Sequence, residues 1–163
     1  MLEYLKNGRT ITQSGLVFLG LTIAFAVWIQ VYDLSILDEM SDPDEIRARL
    51  AAMSPAQKTS HWWMTLLLDY AYPLAYGSFF AGLSLRFFGK VGLLLAIQAF
   101  ISITADMIEN TLQLFILTGH LELIEIKSVV TPIKLVTFLS AALIALIALI
   151  IAAVRRFGRK REA

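Results

Sequence analysis

Apolar positions along the chain gather into four long runs, about residues 14–32, 61–85, 91–117 and 128–154, separated by short polar stretches. Each run approaches or exceeds the roughly 20 helical residues needed to cross a hydrocarbon core of about 30 Å. The pattern predicts an all-α fold: one transmembrane domain over residues 1–163, a polytopic four-helix bundle. Between the first two runs, Ser41-Asp42-Pro43-Asp44-Glu45 carries cap residues, a proline suited to a first helical turn and acids near the positive end of a helix dipole. Ile46, Leu50 and Met53 then recur at i, i+4 and i+7, which predicts a short amphipathic helix over about 43–53 in the first external loop. Ser54-Pro55-Ala56-Gln57 repeats the start signal, so the second helix begins before its apolar run.

Composition agrees with immersion in lipid. The chain is 58% hydrophobic and 17% charged, with a mean hydropathy of +0.70, far from the balance of a soluble domain. The first apolar run follows Lys6 and Arg9 but leads into Gln30-Val-Tyr-Asp without a small-residue cleavage pattern, so it reads as a span rather than a signal peptide. There are no cysteines, which removes disulfides, thiol redox chemistry and thiolate metal sites. His61 and His120 lie too far apart in sequence to form a metal motif, and no metal or other cofactor is expected.

Charge orients the bundle. Lys6, Arg9, Arg86, Lys90 and the basic tail over residues 155–163 fall on one side, nine cations in all, whereas the other two connections mix Arg47, Arg49, Lys58 and Lys127 with eight acids. The positive-inside rule then puts both termini in the cytoplasm and the protein in the plasma (inner) membrane as a multi-pass protein. The tail reads as a topology signal with affinity for anionic membrane lipids, not as a nucleic-acid patch. Trp28, Tyr32, His61, Trp62 and Trp63 mark the outer headgroup level. Small residues recur at Ala71, Ala75, Ser78 and Gly82, and at Ala141, Ala145, Ala148 and Ala152. Such faces let helices approach closely within the bundle, and could equally serve a homo-oligomer. No repeat relates the two helix pairs, so an inverted-repeat transporter is not supported.

Against this apolar background the ionisable groups inside the spans stand out: Asp69, Asp106, Glu109 and Lys134. A charge at mid-helix costs about 2.5–3.5 kcal/mol on insertion scales, so such groups face protein or water and seek partners. At 1.5 Å per residue they come to similar depths, about 10–16 Å below the outer surface, or shallower if the core of span three ends near Asn110. Gln98, Ser102, Asp106, Glu109, Asn110 and Gln113 share one stripe of span three; Trp62, Thr65, Asp69, Tyr72 and Tyr76 share one of span two. Pro73 removes a backbone hydrogen bond and should free the Asp69 carbonyl to point into the bundle. Gln30 and Asp33 lead span one to the same rim, and Thr131 and Lys134 share a face of span four. Three carboxylates and one ammonium leave a formal charge of minus two, which calls for a shared proton, with Asp106 and Glu109 the nearest pair, or a bound cation.

The constellation fits an outward-facing acidic cavity that binds a small cationic or amphipathic, lipid-like ligand. Its site residues would be Gln30, Asp33, Asp69, Tyr72, Tyr76, Asp106, Glu109, Asn110, Gln113 and Lys134. A membrane-embedded enzyme using Asp/Glu acid–base chemistry on a lipid-like substrate is the alternative, though no nucleophile–base pair is evident. Proton- or cation-coupled transport, or an accessory subunit of a membrane complex, are others. A buried Lys134 bridge that merely fixes helix register would account for part of the same pattern. With Trp62-Trp63, Asp69 and Pro73 on span two, the plan of a long first external loop and outward acids on four helices resembles the emopamil-binding and sigma-2-receptor superfamily. The likeness implies that four-span topology and nothing about individual residues, and the third span departs from it.

Overall fold

Long apolar runs hold their backbone hydrogen bonds internally, and the chain is built accordingly. The computed structural model describes residues 2–34 and 36–159, and its regular elements are helical, with no strand among the described residues. In chain order these are α1 (Leu2–Leu5), α2 (Gly8–Tyr32), α3 (Pro43–Ala52), α4 (Pro55–Met64), a π-helical turn (Thr65–Asp69), α5 (Ala71–Phe87), α6 (Gly92–Leu117) and α7 (Ile124–Arg159). Three segments, Gly8–Tyr32, Gly89–Leu117 and Leu121–Arg155, are long and apolar enough to cross a membrane, as in a membrane protein. Of the basic tail, residues 160–163 lie outside the described residues.

The caps follow the sequence signals. Asp42 accepts hydrogen bonds from the backbone N–H groups of Asp44 (2.8 Å) and Glu45 (3.1 Å), which starts α3. Ser54 and Gln57 form a reciprocal capping box at α4, and the Gln57 amide also donates to the Asp33 carbonyl at 2.9 Å. Asp33 itself ends α2 in the left-handed region at φ 47°, a conformation that aspartate tolerates better than most residues.

The second run differs from the uniform helix its hydropathy suggests. One turn before Pro73 the ladder widens into the π turn, which accommodates the missing proline N–H and the ring's clash with the preceding turn. α7 also starts earlier than the apolar run at residue 128. Ile124 is fully buried in an outer apolar cluster with Leu37, Ile46, Leu50, Met53 and Ile116, so Glu125 and Lys127 lie on the helix rather than in a loop.

The main core is aromatic and small. Tyr76, Phe80 and Leu83 from α5 meet Ala96 and Ala99 of α6 and Ala141, Ala145 and Ala148 of α7. The small-residue stripe of α7 is therefore occupied within the chain. α5 sits centrally, packing against α2, α6 and α7; α6 and α7 also pack together along their length, whereas α2 makes almost no contact with α7. The exterior of α2, α6 and α7 is a belt of exposed apolar side chains, among them Leu19, Ile23, Ile97, Ile101, Val136 and Leu143.

Candidate functional site

The site grows from the polar stripe of α6. Ser102, Asp106, Glu109, Asn110 and Gln113 are all buried there, held by groups from the neighbouring elements. Tyr76 donates from its hydroxyl to Asp106 Oδ2 at 3.0 Å and lies 2.8 Å from the Ser102 hydroxyl. Asn110 Nδ2 donates to the Asp69 carbonyl at 2.8 Å, the very group that Pro73 cannot bond. Gln113 Nε2 donates both to the Asp38 carboxylate at 2.8 Å and to the Thr65 hydroxyl at 3.1 Å.

Glu109 is flanked by two ammonium groups. Lys127 Nζ lies 2.7 Å from its Oε1, Thr131 donates to the same oxygen at 2.7 Å, and Lys134 pairs with its Oε2. Lys134 stands 3.9 Å from Asp106, so it bridges the two acids of α6, and Glu109 takes lysines as its partners instead of pairing directly with Asp106. Both lysines reach beyond the helices: Lys127 donates to the carbonyls of Leu37 (2.8 Å) and Met40 (3.3 Å), and Lys134 to that of Asp38 (3.0 Å). The connection after α2 is thereby tied down over the bundle, with Leu34 and Leu37 buried beneath it. Burial pushes the Asp38 carboxyl up, but the nearby His61, Lys134 and Lys127, with the Gln113 hydrogen bond, outweigh it and hold it below its ordinary 3.8.

In front of this layer lies a cavity of about 240 Å³. Asp69, Tyr72 and Tyr76 form one wall, Asp106 and Lys134 the polar floor, Leu135 and Phe138 the α7 side, and Thr22, Phe25 and Ile29 the α2 side. Ile36, Asp38 and Glu39 roof it. Tyr72 stacks against Phe18 and Phe25 at ring separations of 5.3 and 5.2 Å and reaches the Thr22 hydroxyl at 3.3 Å. Asp69 is 8% exposed, and its Oδ2 is buried without a hydrogen-bond partner. Such an atom is costly to leave unmatched in a low-dielectric wall.

Of the residues expected from sequence, Asp69, Tyr72, Tyr76, Asp106 and Lys134 line this cavity, and Glu109, Asn110 and Gln113 form the layer behind it. Gln30 and Asp33 are exposed on the outer end of α2 and are not among the cavity-lining residues. Lys127, Asp38 and His61 belong to the cluster although the sequence places them in loops or at the interface, and Thr65 of the span-two stripe joins them. A spacing signal existed for Lys127: it precedes Thr131 by four and Lys134 by seven, on one helical face. Among the described residues, no group of three or more His, Cys, Asp and Glu side chains is placed to hold a metal ion. The chain matches no family model, no curated protein and no solved structure.

Proposed function

We propose that the chain is a four-span membrane protein that binds a small cationic or amphipathic ligand in the acidic cavity between α2, α5, α6 and α7. The helical run of Pro55–Met64, the π turn and Ala71–Phe87 supplies the fourth span: Leu67 and Leu74 are exposed apolar residues on it, as lipid contact requires. The charge asymmetry of the connections orients it with both termini cytoplasmic in the plasma membrane, α3 lying outside and the cavity in the outer half.

The observation that carries the reading is the Asp69 carboxylate: the residue lines the cavity beside Phe25, Tyr72, Tyr76 and Phe138, and its Oδ2 is buried without a hydrogen-bond partner. The surrounding cluster holds four carboxylates, Asp38, Asp69, Asp106 and Glu109, against two ammonium groups, Lys127 and Lys134, and the His61 imidazole. Glu109 is neutralised from behind by both lysines, so the excess negative charge falls on the acids that border the cavity. A ligand ammonium would meet Asp69 and Asp106 while Tyr72 and Phe138 offer ring faces. The cavity falls below the about 300–1,000 Å³ typical of sites for drug-sized molecules, so the bound part is small.

The test is thermal unfolding of the purified protein in detergent with hexylamine, hexanol or hexanoate added. Hexylamine should raise the midpoint, the neutral and anionic isosteres should not, and Asp69→Asn should remove the response. No shift with hexylamine, or an equal shift in the variant, would overturn the reading.

A further inference from the structure

We infer that the cavity takes its ligand sideways from the bilayer, between α2 and α7, and that this ligand is a single-chain amphiphile with an ammonium head. The inference rests on the cavity being a binding site, as proposed above, and adds the route and the substrate class.

Water-side entry is obstructed by a fastened roof. Ile36, Asp38 and Glu39 cover the cavity, and their segment is fixed at several points: Gln57 to the Asp33 carbonyl, Lys127 to those of Leu37 and Met40, Lys134 to that of Asp38, and Gln113 to the Asp38 carboxylate. Three of these bonds come from ammonium groups, which bind carbonyls more strongly than neutral donors do. The side is different. α5 packs on both α2 and α7, but α2 and α7 hardly touch, which leaves a fissure along the lipid-facing surface. Its lips are Phe25 and Ile29 on one helix, Leu135 and Phe138 on the other, all partly exposed and apolar.

Polarity runs inward from that fissure. An acyl chain would lie against the apolar lips, and a head passing between them would reach Asp69 and Asp106. At about 240 Å³ the cavity accepts a headgroup and the first part of a chain, and the rest must remain between the helices or in lipid. The excess of carboxylates over ammonium groups selects a cationic head: an anionic phosphate or carboxylate would stand beside Asp69 and Asp106 with only Lys134, already paired with Glu109, to meet it.

The experiment places the full-length protein in lipid nanodiscs containing octadecylamine with a photoreactive diazirine in its chain, and maps cross-linked residues by mass spectrometry. Cross-links should fall on Phe25, Ile29, Leu135 and Phe138, be competed by unlabelled octadecylamine but not stearic acid, and weaken at least tenfold in Leu135→Trp, which fills the fissure. Cross-links on the roof residues 36–40, or competition by stearic acid equal to that by the amine, overturn the inference. So does unchanged labelling in a folded Leu135→Trp; if that variant does not fold, the cross-link map of the parent decides. If hexylamine stabilises the protein but octadecylamine neither labels nor competes, the lateral route fails and the binding site stands. If hexylamine too has no effect, both readings fail.

Discussion

Lys127→Met removes a charge while keeping most of an aliphatic stem, in a side chain 1% exposed that sits between Glu109, Thr131 and two loop carbonyls. The substitution leaves Glu109, itself fully buried, with Lys134 and Thr131, and strips the Leu37 and Met40 carbonyls of their ammonium donor. Breaking a buried pair by deleting one partner costs about 3–5 kcal/mol, because the remaining charge stays desolvated. The exposed Arg47–Glu125 pair, 2.6 Å apart, is the internal control: Arg47→Ala should leave stability unchanged within error. Unfolding free energies in mixed micelles measure both. Hydrogen exchange over residues 36–41 should rise in Lys127→Met and not in Arg47→Ala, since Lys127 fastens that segment. Adding Glu109→Gln to Lys127→Met should cost less than Glu109→Gln alone, because the stranded carboxylate is then gone. A Lys127→Met loss of under about 0.5 kcal/mol, the range of ordinary surface changes, would refute the view that this network holds the loop to the bundle.

Asn110→Leu should destabilise by about 1–3 kcal/mol, since the Asp69 carbonyl loses its donor and Pro73 has none to give; in a Pro73→Ala background the same substitution should cost less, and equal costs by denaturant titration would count against this link. Gly92→Ala should destabilise by about 1–3 kcal/mol in the same titration, because a Cβ there would meet the Ser84 carbonyl oxygen at 2.5 Å and the Leu85 Cα at 3.1 Å, backbone atoms that cannot rotate away; a stability equal to the parent's would show that the α5–α6 turn is looser than described. Asp38 is held below its ordinary 3.8, so its contribution is complete above that value and is lost as pH falls through the lower, folded-state value. Hydrogen exchange should accordingly find loop protection greater in the parent than in Asp38→Asn at neutral pH, with the difference vanishing only below 3.8. A difference already gone near neutral pH would exclude this role for Asp38.

Much of the frame was legible because period and cap chemistry are local. Asp42, Ser54 and Gln57 announce their helix starts through side-chain bonds to the next few residues. Pro73 announces an unpaired carbonyl by geometry that holds in any helix. What supplies the missing donor was not legible, since Asn110 is 41 positions away and nothing in either neighbourhood points to the other. Lys127 was misplaced for a different reason. Hydropathy treats a charge beside Glu125 as loop, but Ile124 is drawn into the apolar cluster beneath α3, and the helix starts early enough to turn Lys127 inward. Gln30 and Asp33 differ in the opposite direction: their spacing follows the polar rim, but α2 packs mainly on α5, its outer end is held through Trp28 to Ser60 and through the Asp33 carbonyl to Gln57, and both residues stay exposed.

The two kinds of acid in the bundle therefore carry different weights. Glu109 spends both oxygens on lysines that also hold the roof, so its charge is matched and its loss should open the loop. Asp69 is tied into the chain through its carbonyl, which Asn110 holds, while Oδ2 of its carboxylate is buried without a hydrogen-bond partner. An oxygen left without a donor works against the packing around it, which sets Asp69 apart from Glu109, whose two oxygens both meet lysines. Asp69→Asn and Glu109→Gln should accordingly separate: the first should keep stability near the parent's and lose the hexylamine response, the second should lose stability and loop protection together. If Asp69→Asn instead unfolds as readily as Glu109→Gln, the carboxylate was serving the fold, and the cavity loses its ligand-binding group.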